Sequence, residues 1–246
     1  MIRYLRRVRK QLIAENKYTK YLQYAIGEIV LVVIGILIAL WINNMNDRST
    51  ERDRADRFIE KLKVQLEKNI ETVDWHVEVN ELYYSHSEGL LNQIGLEQEV
   101  YNDARIDSLV MFNLYDFNLN LDMNTLIEGR ENGDFALIKS EEVSQSIYRL
   151  IKSYDMILER ERITNVDLNN RFIPYLNKNY NFANLLKRME GAPADQLSKV
   201  YKQDNFKMLF DQEFENLMMQ RQSLGTDLLD SYIALKAELE AIHNSL

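Results

Sequence analysis

Glu28 poses the sharpest chemical question in this sequence. It sits just inside the run YAIGEIVLVVIGILIALWINN, Tyr24 to Asn44, which is otherwise almost wholly apolar. Burying an acid in lipid costs on the order of a few kcal/mol, so an anion facing lipid tails is disfavoured. Three roles remain. The carboxylate reaches the interface and pairs with Lys17 or Lys20, or it meets a partner helix, or it binds a proton. It lies about one turn inside the run, a depth that favours the first two. Gly27, Gly35 and Ala39 share one face at spacings of eight and four. Gly35-x-x-x-Ala39 is a pair of small residues that lets a second helix approach closely. Glu28 borders that face, so these four residues form the candidate membrane-helix packing site.

Other chemistry is sparse. The three histidines are His76, His86 and His243. His76 and His86 stand about 280° apart on a helix of ~3.6 residues per turn, and neither has a carboxylate four residues away. No metal site is indicated, and exposed or hydrogen-bonding histidines are expected. EGRENGDF has two glycines but lacks the Gly-Lys-Ser/Thr ending of a phosphate loop. No G-x-S-x-G elbow or H-E-x-x-H motif occurs. Absence of cysteine excludes disulfides, thiolate metal sites and thiol catalysis. The 38 acids pair by chance throughout a helical chain. The expectation is a protein that is not an enzyme and uses no cofactor.

Charge and hydropathy place these residues. The 246-residue chain has a net charge of −8, unevenly spread. Residues 1–20 carry seven basic side chains against Glu15, a net +6, which leaves −14 on residues 21–246. An acidic body argues against nucleic-acid binding. A basic tip before an apolar run reads as a membrane anchor. Ile26 to Ile42 spans 17 residues, about 26 Å of helix against a ~30 Å hydrocarbon core. Tyr18, Tyr21, Tyr24 and Trp41 flank it, as interfacial aromatics do. No small-x-small cleavage site follows, so an uncleaved anchor is expected. The positive-inside rule puts the N-terminus in the cytoplasm and the chain from about residue 45 in the periplasm. Ile2, Leu5, Val8 and Leu12 make an apolar stripe on a basic amphipathic segment. Arg3, Arg6, Arg7, Arg9 and Lys10 are the candidate contacts to anionic lipid. The expected divisions are 1–20 cytoplasmic, 21–44 transmembrane and 45–246 periplasmic.

The body reads as all-α. Two prolines and eight glycines are few for this length. Apolar steps of three and four at Ile59, Leu62, Leu66, Ile70, Val73 and Val77, then Tyr84, Leu91 and Ile94, predict one long helix ending near Gly95. Its stripe suits a coiled-coil seam or a bundle face. A short helix is expected from Ala104 to about Tyr115, and NLNLDMN (118–124) reads as a loop despite its alternation. Ser140 is placed to cap a helix with acids in its first turn. That helix carries Val143, Ile147, Leu150, Ile151, Tyr154, Ile157 and Leu158, and is expected to stop before Pro174. A shorter helix over 175–190 follows. The stretch from Phe206 to Ile242 reads as a final pair of helical segments or one long helix, with Gly225 as a candidate kink. Phe210, Phe214, Leu217, Met218, Leu224, Leu228, Leu229, Tyr232, Leu235, Leu239 and Ile242 form its core face. These lengths imply an antiparallel bundle of three long helices.

ENKYTKYLQYAIGEIVLVVIGILIALWINNMND resembles the N-terminal signature of an uncharacterised family of Bacteroidetes membrane proteins. The residues that carry it are Glu15-Asn16-Lys17, Tyr24 to Glu28, Gly35 and Asn43-Asn44, with a looser likeness around Leu126 to Val143. The resemblance implies an inner-membrane anchor and a helical extracytoplasmic domain, and no activity. The expected function is a membrane-anchored periplasmic interaction or scaffold protein. It would act as an accessory subunit or homo-oligomer, with anionic lipids and a protein or second copy as partners. Two alternatives stand beside it. One is a single-span subunit of an ion-coupled complex using Glu28. The other is a periplasmic ligand-binding or sensor bundle, weakened by the lack of a cytoplasmic output domain.

Overall fold

A stretch without proline from Tyr18 onward forms the first and longest element, α1 (Tyr18–Leu91). The computed structural model describes residues 18–97, 102–138, 140–191, 193, 196 and 205–246. After α1 come α2 (Asp103–Phe112), α3 (Asn124–Glu131), α4 (Glu141–Asp167), α5 (Ile173–Asn179), α6 (Phe182–Met189) and α7 (Gln212–Ser245). Short 3₁₀ turns lie at Asp134–Leu137 and Asn205–Phe210. No strand occurs among the described residues. The chain divides into two units, Met1–Arg57 and Phe58–Leu246, each considered by itself.

In the first unit every side chain from Ile26 to Thr50 is exposed. The apolar segment of α1 is long and apolar enough to cross a membrane. Beyond it the polar side chains satisfy themselves locally. Asn43 Nδ2 donates to Asp47 Oδ2 at 2.9 Å, and the Thr50 hydroxyl to the Asn46 carbonyl at 3.1 Å. The basic segment with Arg3, Arg6, Arg7, Arg9 and Lys10 lies outside the described residues.

The second unit has two apolar clusters. One joins Leu62, Leu66 and Val73 of α1 with Ile147, Leu150 and Ile157 of α4 and Leu228, Leu235 and Leu239 of α7. The other joins Leu90 of α1 with α2, Phe172, Leu176, Leu185 and the Phe214–Met218 stretch of α7. Pairings fix chain direction. Glu67 meets His243 at 3.2 Å, Asp74 meets Lys236, and the Tyr83 hydroxyl meets the Arg221 carbonyl at 3.0 Å. On α4, Ser153 meets Glu238 and Arg160 meets Asp227 and Ser231. Both α1 and α4 thus run opposite to α7, and so parallel to each other.

A parallel pair needs a return path, and residues 115–123 supply it. This segment has no helix or strand, yet Phe117, Leu119 and Leu121 are buried while Asn118 and Asn120 are exposed. Its alternation is therefore that of an extended, half-buried ribbon. Its backbone is paired by helix side chains. Phe117 N donates to Asn165 Oδ1 (3.0 Å), Leu119 N to Glu161 Oε1 (2.8 Å) and Leu121 N to Tyr154 Oη (3.1 Å). From α1, Asn69 takes both the N–H and the carbonyl of Asp122, and Gln65 takes Thr125 N.

Several expectations need correction. The buried row of α1 continues through His76, Asn80, Tyr83, Ser87 and Leu90, so Tyr84 and Leu91 are only partly buried. The apolar reading skipped the polar members of that row. His76 is buried, edge-on to Trp75 and near the Tyr232 ring, not exposed. Helix α1 ends at Leu91, and a turn carries the chain to Gly95 at φ +73°. The short helix starts at Asp103, capped by Asn102, and stops at Phe112. Ser140 does cap α4, accepting from Val143 N at 3.3 Å. Helical backbone runs on past Pro174 through a π turn, Leu168–Phe172, into α5. Proline cannot donate to a carbonyl four residues back and its ring crowds that carbonyl, and the wider π turn relieves both constraints. The predicted helix over 175–190 is broken at Tyr180–Asn181. Phe210 is exposed and lies on a 3₁₀ turn.

Gly225 marks no kink, since α7 is continuous from Gln212 to Ser245. A Cβ there would lie 2.3 Å from the Tyr83 ring, whereas one at Gly35 would meet nothing within 4 Å. Gly225→Ala is therefore expected to destabilise the chain by about 1–3 kcal/mol through overpacking. Gly35→Ala should leave fold stability unchanged. Thermal unfolding of both full-length variants in detergent, followed by circular dichroism, checks the contrast.

Candidate functional site

The predicted packing residues all lie on α1. Gly27, Glu28, Gly35 and Ala39 are exposed. At about 100° per residue, Glu28, Gly35 and Ala39 fall within an arc of about 40°, and Gly27 stands about 80° from Gly35. The coherent row is thus Glu28, Gly35 and Ala39. Val32, Ile42 and Asn46 extend it in steps of three and four, a register the small-residue pattern alone did not reveal. The remaining surface from Ile26 to Ile42 is a sleeve of exposed Ile, Leu and Val with Trp41 at one end. Such a surface is disfavoured in water and suits hydrocarbon.

The interior of the second unit contains charges that the sequence reading missed. Glu161, Asp167 and Arg221 are buried, with Arg221 fully enclosed. They lie at a polar level between the two apolar clusters, with Asn80 and Ser87 of α1 in the same buried row. The Arg221 guanidinium faces two rings, 5.1 Å from the Phe172 centroid and 5.7 Å from that of Tyr83. Its Nη1 stands 3.7 Å from Asp167 Oδ2, while Asp167 Oδ1 receives Arg171 Nη1 at 3.2 Å. Asp167 and Phe172 are five residues apart. That spacing would put them about 140° apart on an α-helix, and the intervening π turn brings both toward Arg221. Burial pushes the Tyr83 phenol up, and the nearby guanidinium opposes this. A second buried group joins Asp107 of α2 to the Tyr180 hydroxyl and to Arg188 Nε, the latter at 2.5 Å.

Glu161 links the segment 115–123 to α7. Its Oε1 accepts from Leu119 N at 2.8 Å and from the Tyr232 hydroxyl at 2.5 Å. Burial pushes its carboxyl above the usual range, partly offset by the Tyr232 and Leu119 hydrogen bonds, with nearby Asp116 pushing the same way as burial. The Tyr232 phenol is pushed up by burial and by Glu161. One signal could have revealed these residues. Glu161 and Asp167 continue the row Ile147, Leu150, Tyr154 and Ile157, and Arg221 continues Phe214, Leu217 and Met218. Polar residues in register with an apolar stripe are candidates for buried pairing. No group of three or more His, Asp or Glu suited to a metal occurs among the described residues.

The shift at Glu161 gives a pH prediction. A carboxyl whose folded value lies above the ordinary 4.5 binds more protons folded than unfolded in the interval between the two values. Its contribution to stability is fully present below about pH 4.5 and is lost as pH rises through the folded value. Relative to wild type, Glu161→Gln should therefore gain stability as pH rises from 4.5 toward 7. Denaturant unfolding of both chains across that range measures the difference.

No curated protein and no solved structure matches the chain. Residues 28–112, from Glu28 through the rest of α1 and on to the end of α2, match the model of a family of unknown function, DUF6090.

Proposed function

We propose that this chain is a single-pass inner-membrane interaction protein. Its N-terminus lies in the cytoplasm and Phe58–Leu246 forms a periplasmic helical bundle. It acts as an accessory subunit or a homo-oligomer, without catalysis of its own. The observation that carries this reading is the exposed apolar sleeve Ile26–Ile42 with Glu28, Gly35 and Ala39 on one narrow arc. The arc seats a second membrane helix, small residues allowing close approach and Glu28 supplying a polar contact. The basic residues Arg3, Arg6, Arg7, Arg9 and Lys10 hold the cytoplasmic leaflet through anionic lipid. The charge split, +6 over residues 1–20 and −14 beyond, supports the orientation.

Two measurements test the proposal. The chain lacks cysteine, so Ser49→Cys provides the single thiol. A membrane-impermeant maleimide should label it from the periplasmic side of intact cells, and labelling only after lysis overturns the orientation. Native mass spectrometry in mild detergent should show a complex that Gly35→Leu disrupts. A monomer without partners in the wild type sinks the assembly reading. Glu28→Gln separates a structural contact, which weakens the complex, from ion coupling, which leaves it intact.

A further inference from the structure

Glu161 is fixed by one carboxylate oxygen only. Oε1 holds the ribbon and Tyr232, while Oε2 accepts no hydrogen bond among the described residues. The residue is only 4% exposed, yet it lines an open groove of about 430 Å³ on the second unit. Phe117 also lines the groove, Leu158 and Val166 add apolar surface, and Asn118 and Asn169 contribute amides. Arg162 at the rim is forked onto Glu159 by bonds of 2.8 and 2.7 Å, so its charge is already matched. Asp116, close enough to act on Glu161, adds a second negative charge. A largely buried carboxyl whose second oxygen accepts no protein hydrogen bond, opening into a partly apolar groove of ligand size, is suited to receive a positive group.

We propose that this groove binds a small organic amine. Its ammonium group donates to Glu161 Oε2, and its apolar body lies on Leu158 and Val166. The charges exclude anions. A bare divalent cation fits poorly, because such ions take six or more oxygens and favour several carboxylates, whereas the groove offers one free carboxylate oxygen among neutral asparagine amides and the apolar Leu158 and Val166. Burial already disfavours the charged carboxylate, and a cation at Oε2 offsets that cost. The site lies wholly within residues 117–170 and does not depend on how the membrane helix pairs.

Glu161→Gln is the informative variant. Its amide oxygen keeps both structural hydrogen bonds, while an amide nitrogen replaces Oε2 and faces the ammonium with donors. The experiment titrates full-length protein in detergent with 4-fluorobenzylamine, read by fluorine NMR, with 4-fluorobenzyl alcohol as the neutral control for micelle partitioning. Saturable binding of the amine alone is expected, weakened about tenfold or more by Glu161→Gln, since a charge-assisted hydrogen bond is lost. Val166→Trp, at a position 43% exposed, should block the groove without touching Glu161. It decides the matter if Glu161→Gln fails to fold. Equal binding of amine and alcohol, or amine binding unchanged in a folded variant, overturns the proposal. Tighter binding of Nα-acetyl-lysine amide than of the benzylamine also overturns it, in favour of a lysine side chain of a protein.

Discussion

An extended segment cannot lie inside a helical core unless something takes its backbone hydrogen bonds. Helix side chains do this here. Tyr154, Glu161 and Asn165 of α4 serve every second residue of the ribbon, and Gln65 and Asn69 of α1 serve its far end. Two extended residues advance about 6.8 Å. Asn165 and Glu161 stand one helical turn apart, about 6 Å, and Glu161 and Tyr154 two turns, about 10.5 Å. The long Tyr154 side chain therefore reaches back to the far end of a ribbon that runs opposite to α4. Each unpaired buried N–H would cost about 1–3 kcal/mol. Without these side chains Phe117, Leu119 and Leu121 could not be buried, and α1 and α4 could not lie parallel with a short return between them.

The same demand explains why the interior is polar at one level. Once Glu161 is drawn in to serve Leu119, it needs a second donor, and Tyr232 of α7 provides it. Two turns further on, Asp167 faces Arg221 from the start of the π turn. Buried ion pairs contribute little net stability, but losing one partner is costly. Their effect is to pin register: α4 cannot slide along α7 without leaving Arg221 among aromatic rings and no carboxylate. The π turn lies just before Pro174 and aligns Asp167 with Phe172, so the backbone irregularity and the buried charge occur at one place.

Helix content, the apolar segment of α1, the Ser140 cap and most of the core faces of α4 and α7 were legible in the sequence, because period and cap chemistry are local. The ribbon was not. NLNLDMN shows its alternation, but its hydrogen-bond partners lie 33 to 60 residues away. Gly225 looked like a helix breaker, since nothing nearby in sequence announces the Tyr83 ring above it. The buried charges were not legible for the same reason, since Glu161 meets Tyr232 and Asp167 meets Arg221 far along the chain. At the membrane helix the helical repeat alone, about 100° per residue, puts Glu28 with Gly35 and Ala39 and sets Gly27 about 80° from Gly35.

Helix α7 supplies core residues to both apolar clusters, and its pairings reach back 138 residues from Arg221 to Tyr83 and 176 from His243 to Glu67. Ribosomes make the chain from the other end. The buried row of α1 must therefore wait, uncovered, while some 120 residues are synthesised before α7 exists to close it. Closing such distant contacts is entropically slow, and exposed apolar rows in waiting are prone to aggregation. Polar members of that row, His76, Asn80 and Ser87, interrupt its stickiness during the wait.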